Sequence, residues 1–259
     1  MATPRKPPPS RRGQPPAARA GGRRHRSVQP RHQERSPQRE ERRYDAVHLD
    51  DALTAELRAT ARPGKGDILV KVFADAVAAY DAGDLEEAIR LGEQSKHIAL
   101  RAIPAREFLG LAYYAAARWQ EAARELAAFR RLSGSTSQNP VIADCYRATG
   151  KPEKAIEICD QMRPGEVERA AFYEGSIVAA GALADMGRVE EAVERLRSLD
   201  LRPAVAEAHH IRAWYALGDL LEKQGRFTQA REWFEAVDAA DPDATDAAER
   251  VARLRGGSS

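Results

Sequence analysis

Near the C-terminus the chain reads Ala213-Trp214-Tyr215-Ala216-Leu217-Gly218-Asp219-Leu220-Leu221, then Gly225-Arg226-Phe227-Thr228-Gln229-Ala230, then Phe234 and Pro242. The apolar residues recur at helical spacing on both sides of Gly225, so the stretch predicts two antiparallel helices joined by a tight turn. The same pattern lies upstream as Leu109-Gly110-Leu111-Ala112-Tyr113, Ala117-Arg118-Trp119-Gln120-Glu121-Ala122 and Leu126. Three further copies keep the turn and second helix: Gly83–Ile89, Gly150–Ile156 and Gly187–Val193. Turn positions 83, 117, 150, 187 and 225 are spaced 34, 33, 37 and 38 residues apart. A unit that recurs at such a period cannot bury its apolar face alone, and stacking on its neighbours supplies the core.

The pattern resembles the tetratricopeptide repeat, whose signature is Trp-x2-Leu-Gly-x2-Tyr, then Ala-x3-Phe, then Pro. Trp214, Leu217, Gly218, Ala230, Phe234 and Pro242 match it, and Leu221 stands where Tyr is usual. The expected fold is all-α: a solenoid of about five helical hairpins over residues 44–254 with end-capping helices, behind a disordered basic tail at 1–43 and ahead of a disordered end at 255–259. In the upstream copy Ala117 stands where the turn usually carries Gly. The two longer spacings, with Pro164 and Pro203 at the expected starts of units four and five, predict long first helices over 166–186 and 204–224. Leu49, Leu53 and Leu57 predict a leading helix, Asp67 is the expected cap of the next, and Thr245–Leu254 reads as a closing helix with Val251 and Leu254 inward.

The chain is similar, over about residues 45–254, to an actinobacterial family with an Arg-rich variable N-terminus and a tetratricopeptide body. The likeness rests on Ala/Arg-rich usage, 34 Arg against 7 Lys, and on Arg130-Arg131-Leu132-Ser133-Gly134 before Ala143-Asp144-Cys145. It implies a cytoplasmic, non-enzymatic protein and brings no functional residues with it.

Charge divides the chain. Residues 1–43 hold 13 of the 41 Lys and Arg against three Glu, a net of +10, which leaves −8 for the rest. Eight of the 15 Pro lie in that tail, and no Phe, Trp or Tyr does. It cannot bury enough surface to offset roughly 1–2 kcal/mol of backbone entropy per residue, so disorder is expected there. Its arginines, among them Arg11, Arg12, Arg23, Arg24, Arg26, Arg42 and Arg43, suit contact with a polyanion such as RNA by counterion release, without reading sequence.

No run of eighteen apolar residues is present, so no membrane helix is expected. Two Cys cannot make a disulfide framework, which points to a reducing cytoplasm. Cys145 and Cys159 read as buried free thiols. His209 and His210 are adjacent on a helix and diverge by about 100°, which suits an exposed or interface role better than shared chelation. Arg62–Asp67 lacks the spacing of a phosphate loop. No nucleophile–base pairing occurs, so neither catalysis nor a metal or cofactor is expected.

In the repeat family the first helix of each pair lines a concave groove that holds peptides. Placed on that pattern, the groove comprises Phe73, Val77, Tyr80, Glu107, Leu111, Tyr114, Asp144, Arg147, Ile177, Arg212, Tyr215, Asp219 and Glu222, with Asp81, Asp185 and Lys223 beside them. Phe73 and Val77 stand where the carboxylate clamp of some members would begin, which argues against a chaperone-tail receptor. The excess of acids and the tyrosines suit a protein segment carrying Arg or Lys beside an apolar anchor. The alternative is an RNA- or ribosome-associated factor whose basic tail binds phosphate backbone non-specifically.

Overall fold

The computed structural model describes residues 44, 45 and 47–256, and the expectations for the tail and for 257–259 lie outside them. Among the described residues the regular structure is helical, in the order α1 (Asp51–Thr60), α2 (Gly66–Asp81), α3 (Leu85–Ile98), α4 (Ile103–Ala115), α5 (Trp119–Ser133), α6 (Asn139–Ala148), α7 (Pro152–Cys159), α8 (Arg169–Asp185), α9 (Val189–Arg197), α10 (Ala208–Lys223), α11 (Phe227–Ala240) and α12 (Ala247–Gly256). Helices α2 to α11 pair as five consecutive hairpins. α1 packs on the first and α12 on the last. The all-α solenoid expected from the repeat is the observed fold.

Each hairpin turn places one residue in the left-handed region. Four are glycines, with φ of +77° at Gly83, +70° at Gly150, +76° at Gly187 and +73° at Gly225. The fifth is Ala117 at +55°, the one non-glycine with positive φ among the described residues. Within hairpins the signature small residues set the approach of the helices. A methyl group on Gly110 would lie 2.5 Å from Leu126 Cγ, and one on Gly218 would lie 2.8 Å from the Phe234 ring. Leu126, Leu217, Leu221 and Phe234 are fully buried at these seams.

The expectation of long first helices in units four and five is corrected. α8 has 17 residues and α10 has 16, but α2 already has 16. The extra residues instead form the connections 160–168 and 198–207, which follow second helices of only eight and nine residues. Pro164 and Pro203 lie in those connections, where the residue before each is biased away from helix. Asp67 is likewise not the cap: α2 begins at Gly66 behind Lys65, and Asp67 accepts a hydrogen bond from Arg58 Nε at 2.9 Å. Asp50 caps α1, accepting the Leu53 N–H at 2.7 Å. α12 runs on through Gly256 with Val251 and Leu254 buried.

One charged group is buried among the hairpins. Glu125 on α5 has a 3% exposed side chain and takes an ion pair from Lys96 of α3 at 3.1 Å and a second from Arg106 of α4. A buried carboxylate is tolerable only when paired, so this contact ties the first two hairpins in one register.

Candidate functional site: the face of the first helices

The first helices lie side by side, α6 on α8 and α8 on α10. Residues three and four apart share a helix face, so Pro140, Asp144 and Arg147 on α6 line up beside Glu174, Ile177 and Gly181 on α8 and Arg212, Tyr215, Asp219 and Glu222 on α10. The candidate groove residues fall into three groups along this face.

At the N-terminal end, Phe73 is 4% exposed and sits in a core cluster with Leu57, Leu69 and Ala105. Its ring stands edge-on to Phe108 at 5.4 Å. Phe73 is therefore packing between units and is withdrawn from the groove. The leading helix α1, expected from Leu49, Leu53 and Leu57, supplies Leu57 as its apolar cover. Val77 packs half-buried on the same cluster, and Tyr80 stands edge-on to Phe108 at 5.9 Å.

In the middle, polar residues join across helices. Glu107 accepts from Gln138 Nε2 at 2.8 Å. The Tyr114 hydroxyl donates to Asp144 at 2.7 Å. Arg147 donates to Asp144 at 3.3 Å and to Asp185 at 2.9 Å, with its guanidinium lying over Gly181, where a methyl group would meet it at 2.7 Å. Burial, and then the Asp144 carboxylate, push the Tyr114 phenol above its ordinary pKa, so it stays a donor at neutral pH. Leu111 and Ile177 are half-buried beside this row.

At the C-terminal end the face is covered. Arg250 of α12 donates to Asp219 at 3.0 Å, to Glu222 at 2.6 Å and to the Tyr215 hydroxyl at 3.1 Å, and its guanidinium lies 4.4 Å from the Phe234 ring centre. Tyr215 donates in turn to Asp246 at 2.6 Å. Burial opposes ionisation of Asp219, but hydrogen bonds from Lys223 and Arg250 outweigh it and hold the carboxyl below its usual range. Tyr215, Asp219 and Glu222 thus hold the closing helix in place.

Between these ends lies a cleft of about 370 Å³ lined by Ser137 ahead of α6, Pro140 and Val141 of its first turn, Ala170, Ala171 and Glu174 of α8, and Arg212 of α10. Arg212 Nε lies 3.0 Å from Glu174 Oε2, and both side chains remain well exposed. Only Arg212 was singled out from the sequence. Glu174 shares the face of Ile177 three residues on, so its spacing was available as a signal. The alanines at the start of α8 carried none, because a small residue signals a wall only when its neighbours are known.

The remaining candidates resolve into structure. Cys145 and Cys159 are buried, and burial pushes both thiols up to about 12. The exposed or interface role expected of His209 and His210 is corrected: they are 4% and 0% exposed, with ring centres 4.0 Å apart. With Glu207 they bring three metal-type ligand atoms within 4.8 Å of one another, the one such group among the described residues. The group does not suit a cation, since His210 Nδ1 already accepts the Glu207 N–H at 3.1 Å and the positive end of α10 points at it. The arginines named for polyanion contact lie outside the described residues.

A family model described as tetratricopeptide repeat matches residues 177–245. Among curated proteins none matches the sequence. Several solved structures share the fold. A thermophilic tetratricopeptide-repeat protein of Thermus thermophilus has a TM-score of 0.53 at 15% identity, over 72% of this chain and 98% of its own. PilF of Pseudomonas aeruginosa has a TM-score of 0.58 at 12% identity, over 75% and 86%. YrrB, described as a tetratricopeptide-repeat protein with an unusual peptide-binding site, has a TM-score of 0.50 at 16% identity, over 71% and 90%. No described helix is long and apolar enough to cross a membrane. Residues 177–245 thus carry a tetratricopeptide-repeat match, and the described residues share the helical-hairpin fold of these solved structures.

Proposed function

We propose that the chain is a non-enzymatic adaptor that holds a segment of another protein along the face of its first helices, with the cleft between α6 and α8 as the principal seat. The observation that carries this reading is the cleft itself: an apolar floor of Pro140, Val141, Ala170 and Ala171, with Glu174 and Arg212 at one wall. Such a seat suits a bulky apolar side chain flanked by a basic one, because the floor favours burial and the exposed Glu174 carboxylate at the wall can take a partner's cation in place of Arg212. Tyr114, Tyr215, Asp219 and Glu222 play no direct part in it, since their polar atoms are taken up within the chain. The solenoid build, shared with a protein described as having a peptide-binding site, agrees with this role.

The test is a display library of 12-residue segments that pairs Arg or Lys with Leu, Ile or Phe, screened against the full chain. Ala170→Trp fills the cleft from an exposed position. Binders lost in that variant at unchanged melting temperature support the reading. Binders indifferent to it refute the cleft. If the chain retains only RNA, and loses it when residues 1–43 are removed, the tail is the functional element instead.

A further inference from the structure

Helix α10 begins on a buried pair of imidazoles. The His209 ring stands edge-on to Tyr173 of α8 at 4.5 Å and the His210 ring to the same tyrosine at 5.2 Å. Trp214, one turn further along α10, lies 6.4 Å from His210. The connection between α9 and α10 is fastened by the same rings. The Tyr173 hydroxyl donates to the Asp200 carbonyl at 2.8 Å, and Trp214 Nε1 donates to the Leu201 carbonyl at 3.0 Å.

A doubly protonated His209 would carry an N–H at Nε2, which is buried with no hydrogen-bond partner. His210 Nδ1 accepts from the Glu207 N–H, which leaves its proton on Nε2. The Nε2 atoms of both rings are buried with no hydrogen-bond partner. The charged groups facing His209 are Arg169 of α8, Glu207 at the cap of α10 and Arg212 of α10. Glu207 is the one acid among them, 3.9 Å from His209 Nδ1 with its own side chain 62% exposed, so it opposes two arginines and a helix N-terminus from partly in water.

We propose that His209 is a proton-sensitive latch: neutral, and packed on Tyr173 and His210, it holds the first turn of α10 and the 198–207 connection against α8, and its protonation releases them. Arg212, which forms one wall of the cleft, follows that turn directly on α10. Burial first, then His210, Arg169 and Arg212, hold the His209 imidazole below its usual pKa. A folded-state value below the open-state value means that the open form binds more protons. The latch is therefore fully closed above the ordinary imidazole pKa of about 6.5 and weakens as pH falls from there towards the lowered folded value. The consequence for the cleft rests on the groove reading, whereas the latch is measured with no partner present, so each fails separately.

The experiment is amide hydrogen exchange of the full chain at pH 7.5 and pH 5.5, corrected for intrinsic rates, with imidazole NMR titration of the same protein. Exchange across 198–214 rises several-fold at the lower pH while 139–159 stays unchanged, and His209 titrates below the ordinary imidazole range. His209→Phe keeps a ring against Tyr173 and abolishes the rise; His209→Gln serves if that variant does not fold. A His209 midpoint at or above about 6.5, no local rise on acidification, or an undiminished rise in the variant overturns the latch.

Discussion

Ala117→Gly raises the stability of the chain, and its reciprocal, Gly150→Ala, lowers it. Both residues occupy the same place in their hairpins, with φ of +55° and +70°. A methyl group added at Gly150 meets no atom within 4 Å, so packing drops out and the backbone alone decides. An L-residue in the left-handed region costs about 1–2 kcal/mol. Glycine returns about 0.4–1 kcal/mol of that through the larger entropy of its unfolded chain. The balance predicts that Ala117→Gly gains about 0.5–1 kcal/mol and that Gly150→Ala loses about the same. For a body of this size each kcal/mol moves the melting temperature by roughly 2–4 °C. The assay is urea and thermal unfolding of the full chain followed by far-ultraviolet circular dichroism. Ala117→Gly that is neutral or destabilising, alongside a destabilising Gly150→Ala, refutes the reasoning, because it shows that the Ala117 turn is not strained.

Gly218→Ala costs about 1–3 kcal/mol, since its methyl group meets the Phe234 ring at 2.8 Å, and a lowered urea midpoint at unchanged slope checks it. Glu125→Ala costs about 2–4 kcal/mol by leaving Arg106 largely buried without its carboxylate while Lys96 keeps only Glu93, and loosened exchange at the joint of α3, α4 and α5 marks the loss. With thiols pushed up to about 12, Cys145 and Cys159 leave a thiol reagent unconsumed at pH 8 in the folded chain and react fully in denaturant. Rapid labelling of either Cys in the native protein contradicts their burial. Arg250→Ala removes one partner each from Tyr215, Asp219 and Glu222 and speeds exchange across α12 while the five hairpins persist; unaltered exchange there means that the apolar residues of α12 and the remaining Asp246 and Arg253 contacts hold the helix without it.

Much of this architecture is written in local pattern. The five turns announce themselves because a left-handed backbone position selects glycine, and the exception at Ala117 is visible as an exception. Gly110 and Gly218 are legible for a related reason: the side chains they admit, Leu126 and Phe234, stand at fixed offsets in the same hairpin. Val251 and Leu254 declare the closing helix by spacing alone. Where the period lengthens, the pattern misleads. Three or four added residues are a helical turn or a longer connection, and Pro164 and Pro203 fit either until the packing of α7 and α9 is seen.

The sequence by itself determined the hairpin, its repetition and the separation of a basic tail from an acidic body, because each depends on residues close in the chain or on plain composition. Tertiary structure alone decided which first-helix residues remain free to meet a partner. Phe73 is spent on Phe108, Tyr114 on Asp144, and Tyr215, Asp219 and Glu222 on Arg250, each a contact across about 30 residues or more that periodicity does not encode. The cleft between α6 and α8 and the His209–His210 pair belong to the same class. A cleft is space left over by neighbouring units, and a buried imidazole is defined by what packs upon it, so both exist only once the hairpins have stacked.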